Sequence, residues 1–162
     1  MSGIYLELAE RIAGEIPELD RLVRRIEQRW SHGKALPEQQ DAYLESVALN
    51  LHGFYSGIER LFELIARHVD RSEPSGETWH RALLQQMVSD IADARPAVIS
   101  HETAAALDEF RRFRHLVRNV YTFNLVPEKM ENLVLILPAL WTRLYAELLA
   151  TADYLQALAD AT

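Results

Sequence analysis

From Leu8 to Trp30 the apolar residues Leu8, Ile12, Ile16, Leu19, Val23, Ile26 and Trp30 recur in steps of three and four. That spacing stacks them on one face of an α-helix. The same period returns in the later segments. Leu44, Val47, Leu51, Phe54, Tyr55, Ile58, Phe62, Ile65 and Val69 form a second stripe, and Leu83, Leu84, Met87, Val88 and Ile91 a third. Leu133, Leu137, Leu140, Trp141, Leu144, Leu148 and Leu155 form the last. No segment shows the two-residue alternation of a strand convincingly. A chain patterned this way is all-α. Four to five long helices joined by short connections predict an up-and-down antiparallel helical bundle.

The breaks between stripes set the boundaries. Pro17 interrupts the first run and is expected to kink or split it. In "SHGKALP", Gly33 suits a helix C-terminus and Pro37 the first turn of the next helix. Gly53 and Gly57, four apart inside the second helix, predict close helix packing or a mild bend. "DRSEPSGET" reads as a turn from which Ser75 or Thr78 caps the third helix. "ARPAVISHE" breaks the chain again, a fourth helix spans about His101 to Leu125, and Pro127 opens the last. No repeat or polar linker divides the chain, so residues 1–162 are expected to form a single domain.

Charge narrows the function. The 162 residues carry a formal net charge of −7 with a pI near 5.4, the wrong sign for a protein that coats long nucleic acid. Any RNA contact must therefore be confined to a small basic site. With no cysteine, disulfides and thiolate metal sites are excluded. No His/carboxylate spacing typical of a metal site appears, so no metal or cofactor is expected. "MSGIYLELAERIAGE" bears glutamates where a secretory signal needs a basic start. The longest apolar run, "NLVLILPALW", is short and contains Pro138, so neither a membrane span nor a membrane partner is expected and the location expected is cytoplasmic.

The basic residues concentrate in "FRRFRHLVRNVYTFNL", Phe110 to Leu125. Successive helical residues turn by about 100°, which puts Arg111, Arg118 and Tyr121 within roughly 60° of Arg114. Phe113, Val117 and Val120 share the neighbouring, core-facing arc, with Phe110 between the two. His115 and Asn119, four apart, lie on the stripe's other flank. One explanation is a salt-bridged surface, since Asp108 precedes Arg111 and Arg112 by three and four residues. The other is an anion site, for which arginine, with its planar fork of donors, is better suited than lysine.

"RHLVRNVY" resembles the signature of the HEPN ribonucleases, specifically the HepT-like toxins: arginine, four residues, histidine, any residue, tyrosine. Arg114 falls on the arginine and Tyr121 on the tyrosine, and the flanking sequence is similar to one HepT-like branch over much of residues 80–160. The resemblance implies a HEPN helical bundle, a homodimer with its motif helices facing across a cleft, and metal-independent RNA cleavage. It also implies a minimal nucleotidyltransferase antitoxin that neutralises the toxin by adding AMP to Tyr121. Arg114 would then stabilise the scissile phosphate, and Arg111, Arg118 and Tyr121 would hold RNA.

The motif histidine is replaced by Asn119. Histidine exchanges protons near neutral pH and asparagine does not, so Asn119 is left with orienting a phosphate or hydroxyl. His115, one turn earlier, either organises the site or takes over the proton transfer. If neither restores the chemistry, the chain is an inactive HEPN module that binds a nucleotidyltransferase or another protein. The remaining histidines, His32, His52, His68, His80 and His101, are expected to be packed or on the surface.

Overall fold

The computed structural model describes residues 2–119 and 127–161, with side chains described for 2–115 and 127–161. It is all-α. Helix α1 spans Ser2–Ala35, α2 Gln40–Ile65, α3 Trp79–Met87, α4 His101–Asn119 and α5 Pro127–Ala161. A 3₁₀ turn over Pro37–Gln39 leads into α2, and a π turn over Ala66–Asp70 ends it. There is no strand among the described residues, only an isolated bridge between Ile91 and Arg95.

Helix α1 packs along both α2 and α5, and α4 lies against α2 and α5. The paired positions give the directions. A Cβ on Gly33 would meet Tyr43, and one on Gly57 would meet Leu19, each at 3.1 Å, so α1 and α2 run antiparallel. The Gly57 approach to Leu19 is the close packing expected of the glycine pair. Asp20 accepts a hydrogen bond from Trp141 Nε1 at 2.9 Å, tying α1 to α5. One core runs through all five helices. The start of α5 lies beside the end of α1, and α4 runs from Glu147 of α5 back toward Leu133, so the four long helices alternate in direction as the short connections predict. Burying each large side chain contributes about 1.5–3 kcal/mol, so these stripes are the main stabilising feature.

Pro37 and Pro127 stand in the first turns where they are expected, and Pro17 does not split its helix. Helix α1 continues through Pro17 and α5 through Pro138. A proline inside a helix removes one backbone hydrogen bond and costs about 3 kcal/mol. Ile12, Ile16, Leu19 and Val23 around Pro17, and Val134, Leu137, Leu140 and Trp141 around Pro138, are all buried and offset that loss. Gly33 sits in the last turn of α1 and not beyond it, because the helix extends to Ala35. Uninterrupted, α5 is long and apolar enough by length and composition to cross a membrane, although much of its apolar side is packed in the core.

Helix α3 is shorter than its stripe, so Ile91 lies outside it. Thr78 takes the N-cap position without a side-chain capping bond. Helix α4 is fixed more firmly. Ser100 Oγ accepts the Thr103 N–H at 3.1 Å, and Glu147 of α5 accepts from both the Ser100 N–H and the Thr103 hydroxyl. A carboxylate at a helix N-terminus complements the helix dipole as well as the orphan donors. The part of the expected fourth helix beyond Asn119, with Tyr121, lies outside the described residues.

Candidate functional site

Along α4 the buried seam is Thr103, Leu107, Phe110 and Phe113. Phe110 is its deepest aromatic and packs on Phe54 of α2, with ring centroids 5.7 Å apart. It does not merely border the core. Arg114 lies one turn beyond Phe110, four residues on, and so continues the inner seam. Its side chain is 16% exposed.

The arginines of the stripe have different partners. Arg111 Nε donates to Asp108 at 2.7 Å, and Arg112 pairs with Asp108 at 3.0 Å and Glu109 at 3.8 Å, all within α4. The salt-bridged explanation therefore accounts for these two, and Arg112 is 65% exposed, where such pairs contribute little. Arg114 instead reaches to another helix: its Nη1 donates to Glu59 Oε1 of α2 at 3.1 Å. Arg114 Nε is buried and has no hydrogen-bond partner among the described residues. A buried N–H without an acceptor costs about 1–3 kcal/mol, so Nε is an unmet donor of this guanidinium.

Glu59 is the centre of the cluster. Its side chain is 5% exposed, and its second oxygen, Oε2, lies 2.7 Å from His80 Nδ1 at the start of α3. The imidazole also stacks on Trp79, with centroids 3.6 Å apart, and Arg114 Nη1 approaches Nδ1 to 3.5 Å. Three elements thus converge on one carboxylate. His115, the histidine favoured by proximity in sequence, is exposed on α4. The side chains of Arg118 and Asn119 and the whole of Tyr121 lie outside the description.

Neither Glu59 nor His80 was singled out from the sequence as a site residue. Glu59 did leave a signal there. It falls between Ile58 and Phe62 in the second apolar stripe, and an acidic residue at a core position needs either a partner or a function. His80 left none, because its place beside Arg114 depends on the packing of α3 against α2 and α4.

The surroundings perturb two further groups. Burial, reinforced by Glu59, pushes the Tyr55 phenol well above its ordinary range, so Tyr55 stays neutral and is no base. Burial, then the charge of Glu59, raises the Glu63 carboxyl above its usual 4.5. Because the folded state holds that proton more tightly, Glu63 favours folding at low pH and loses that contribution as pH rises through its folded pKa. Glu63→Gln is therefore expected to raise the melting temperature at pH 7, with the gain vanishing below about pH 4, where the carboxyl is protonated. Thermal denaturation at the two pH values checks this, and equal shifts at both would contradict it.

Among the described residues no group of three or more His, Asp or Glu side chains is placed to hold a metal ion. The site is instead an arginine and a histidine held by one buried carboxylate on an all-α bundle. A family model described as HepT-like protein matches residues 46–155, which include Glu59, His80 and Arg114. The chain belongs to the HepT-like family of the HEPN superfamily. A search of curated proteins and a search of solved structures each returned no match.

Proposed function

We propose that this HepT-like protein is a metal-independent endoribonuclease toxin that acts in the cytoplasm as a single HEPN-like domain. The observation that carries the proposal is Arg114: it lies on the inner seam of α4, in the stretch that resembles the HEPN signature, with an Nε that has no hydrogen-bond partner among the described residues. In RNA transesterification the 2′-hydroxyl attacks the adjacent phosphorus, and negative charge builds on the phosphate oxygens. A preorganised guanidinium in a partly dehydrated site stabilises that charge more strongly than one in water. Arg111, Arg118 and Tyr121 extend the RNA contact, and Asn119 and His115 complete the site by orienting the substrate. A second copy of the chain closes the cleft in a homodimer. A minimal nucleotidyltransferase is the antitoxin, and Tyr121 is the residue it modifies with AMP.

Asn119 favours a second reading, in which the chain is an inactive HEPN module that binds the nucleotidyltransferase. The two separate in one experiment. The ribonuclease should cut an RNA oligonucleotide in the presence of EDTA, leave its 2′-O-methyl counterpart intact, and lose cleavage on Arg114→Ala. An inert wild-type protein, or cleavage insensitive to Arg114→Ala, would support the binding module instead.

A further inference from the structure

If the protein cleaves RNA, Asn119 leaves the reaction without the proton acceptor that the motif histidine would supply. We propose that His80 is that acceptor, brought to the motif arginine from another helix by the buried carboxylate of Glu59. The inference rests on the ribonuclease reading and assigns it a catalytic group outside the signature.

The geometry determines which nitrogen is available. A carboxylate shared with a guanidinium only accepts hydrogen bonds, so at 2.7 Å the His80 Nδ1–H donates to Glu59 Oε2. In the neutral ring the lone pair then lies on Nε2, on the edge turned away from Glu59. The Arg114 Nη1–Nδ1 distance of 3.5 Å is proximity and not a second bond, because both nitrogens are donors in this tautomer. Stacking on Trp79 fixes the ring plane, while the side chain keeps 26% of its surface exposed. A carboxylate that orients an imidazole through Nδ1 and leaves Nε2 as the base is a recurrent arrangement in hydrolytic sites. Here the other oxygen of that carboxylate holds the guanidinium that would meet the phosphate. One buried residue therefore sets both the base and the cation.

With a phosphodiester on Arg114, the 2′-hydroxyl proton passes to His80 Nε2 as the O2′–P bond forms and the P–O5′ bond breaks. The imidazolium returns that proton to the departing 5′-oxygen, directly or through water. The products are a 2′,3′-cyclic phosphate and a 5′-hydroxyl, with no net proton change and no other reactant. The charged groups facing the imidazole are Glu59 and Glu63 of α2 and Arg114 of α4.

The test uses the full chain in EDTA with an RNA oligonucleotide, and a fluorescent 2′-O-methyl oligonucleotide to read binding. His80→Asn keeps a donor for Glu59 but has no lone pair in place of Nε2. It should reduce kcat by about 10²–10⁴-fold, leave the affinity for the 2′-O-methyl oligonucleotide unchanged and flatten the acid limb of the pH–rate profile. His80→Ala should regain cleavage when imidazole is added. Wild-type cleavage that Arg114→Ala abolishes but both His80 variants retain would overturn the role of His80 and leave the ribonuclease reading standing. Loss of binding together with cleavage in both His80 variants, without imidazole rescue, would reduce His80 to a positioning residue and overturn the proposal. A wild-type protein that never cleaves would remove both readings together.

Discussion

Arg114→Ala is expected to lower the unfolding free energy by about 3 kcal/mol, in addition to the loss of RNA cleavage that the proposed function requires. The reason is Glu59. Its carboxylate is buried on α2 and takes a charge-assisted hydrogen bond from Arg114, so removing the guanidinium strands a negative charge at the core boundary. The residual exposure of Arg114 and the remaining contact to His80 place the cost at the low end of the range for broken buried pairs. Glu59→Gln introduced into Arg114→Ala should recover much of that stability, because the unpaired charge is gone. It should not recover cleavage, for which loss of a charge-stabilising donor is expected to cost about 10²–10³-fold in kcat. Denaturant titrations of the wild type, both single variants and the double variant give the coupling between the two residues. Additive losses would show that the pair carries no interaction energy, and would leave Arg114 with only its solvent-facing donors to explain its place on the seam.

That prediction depends on a feature only half visible in the sequence. The three- and four-residue steps place Arg114 beside the core and Glu59 within an apolar stripe, but periodicity cannot say that the two meet. Their approach, 55 residues apart, follows from how α4 crosses α2, with Phe110 seated on Phe54. The helical stripes were legible because burial repeats locally. A split at Pro17 does not occur because the local cost of the proline is outweighed by tertiary packing on both sides of it. The charge stripe was legible as a cluster yet not in its parts: Arg111 and Arg112 pair with carboxylates of their own helix, whereas Arg114 finds a buried one elsewhere. His80 shows the limit most clearly. In sequence it is one histidine among six, and the role proposed for it comes from Glu59, which only the fold brings within 2.7 Å.

Asp70→Asn should produce the largest loss of stability, about 3–5 kcal/mol. Asp70 ends the π turn after α2 and receives both arms of Arg95: Nε donates to Oδ1 and Nη2 to Oδ2, each at 2.6 Å. Both side chains are almost completely buried. Arg95 spends its other donors on the carbonyls of Ser89, Pro96 and Gln86, and Gln86 Nε2 donates to Asp70 Oδ2 at 2.7 Å. The pair therefore ties the end of α2 to the C-terminal end of α3 and to the segment leading to α4. Compared with a well-packed apolar substitute such a pair is often neutral, but removing one partner leaves a dehydrated charge with nothing to balance it. Asparagine keeps the shape of Asp70, removes its charge and turns an amide donor toward a guanidinium that can only donate. In a chain of this length each kcal/mol shifts the melting temperature by about 2–4 °C, so a fall of roughly 6–20 °C is expected by circular dichroism. Asp70→Leu combined with Arg95→Met should regain much of the loss, because neither charge then remains buried. If Asp70→Asn melts with the wild type, the pair is not holding this end of the bundle, and the positions of α3 and His80 must depend on their apolar contacts and on the His80–Glu59 hydrogen bond.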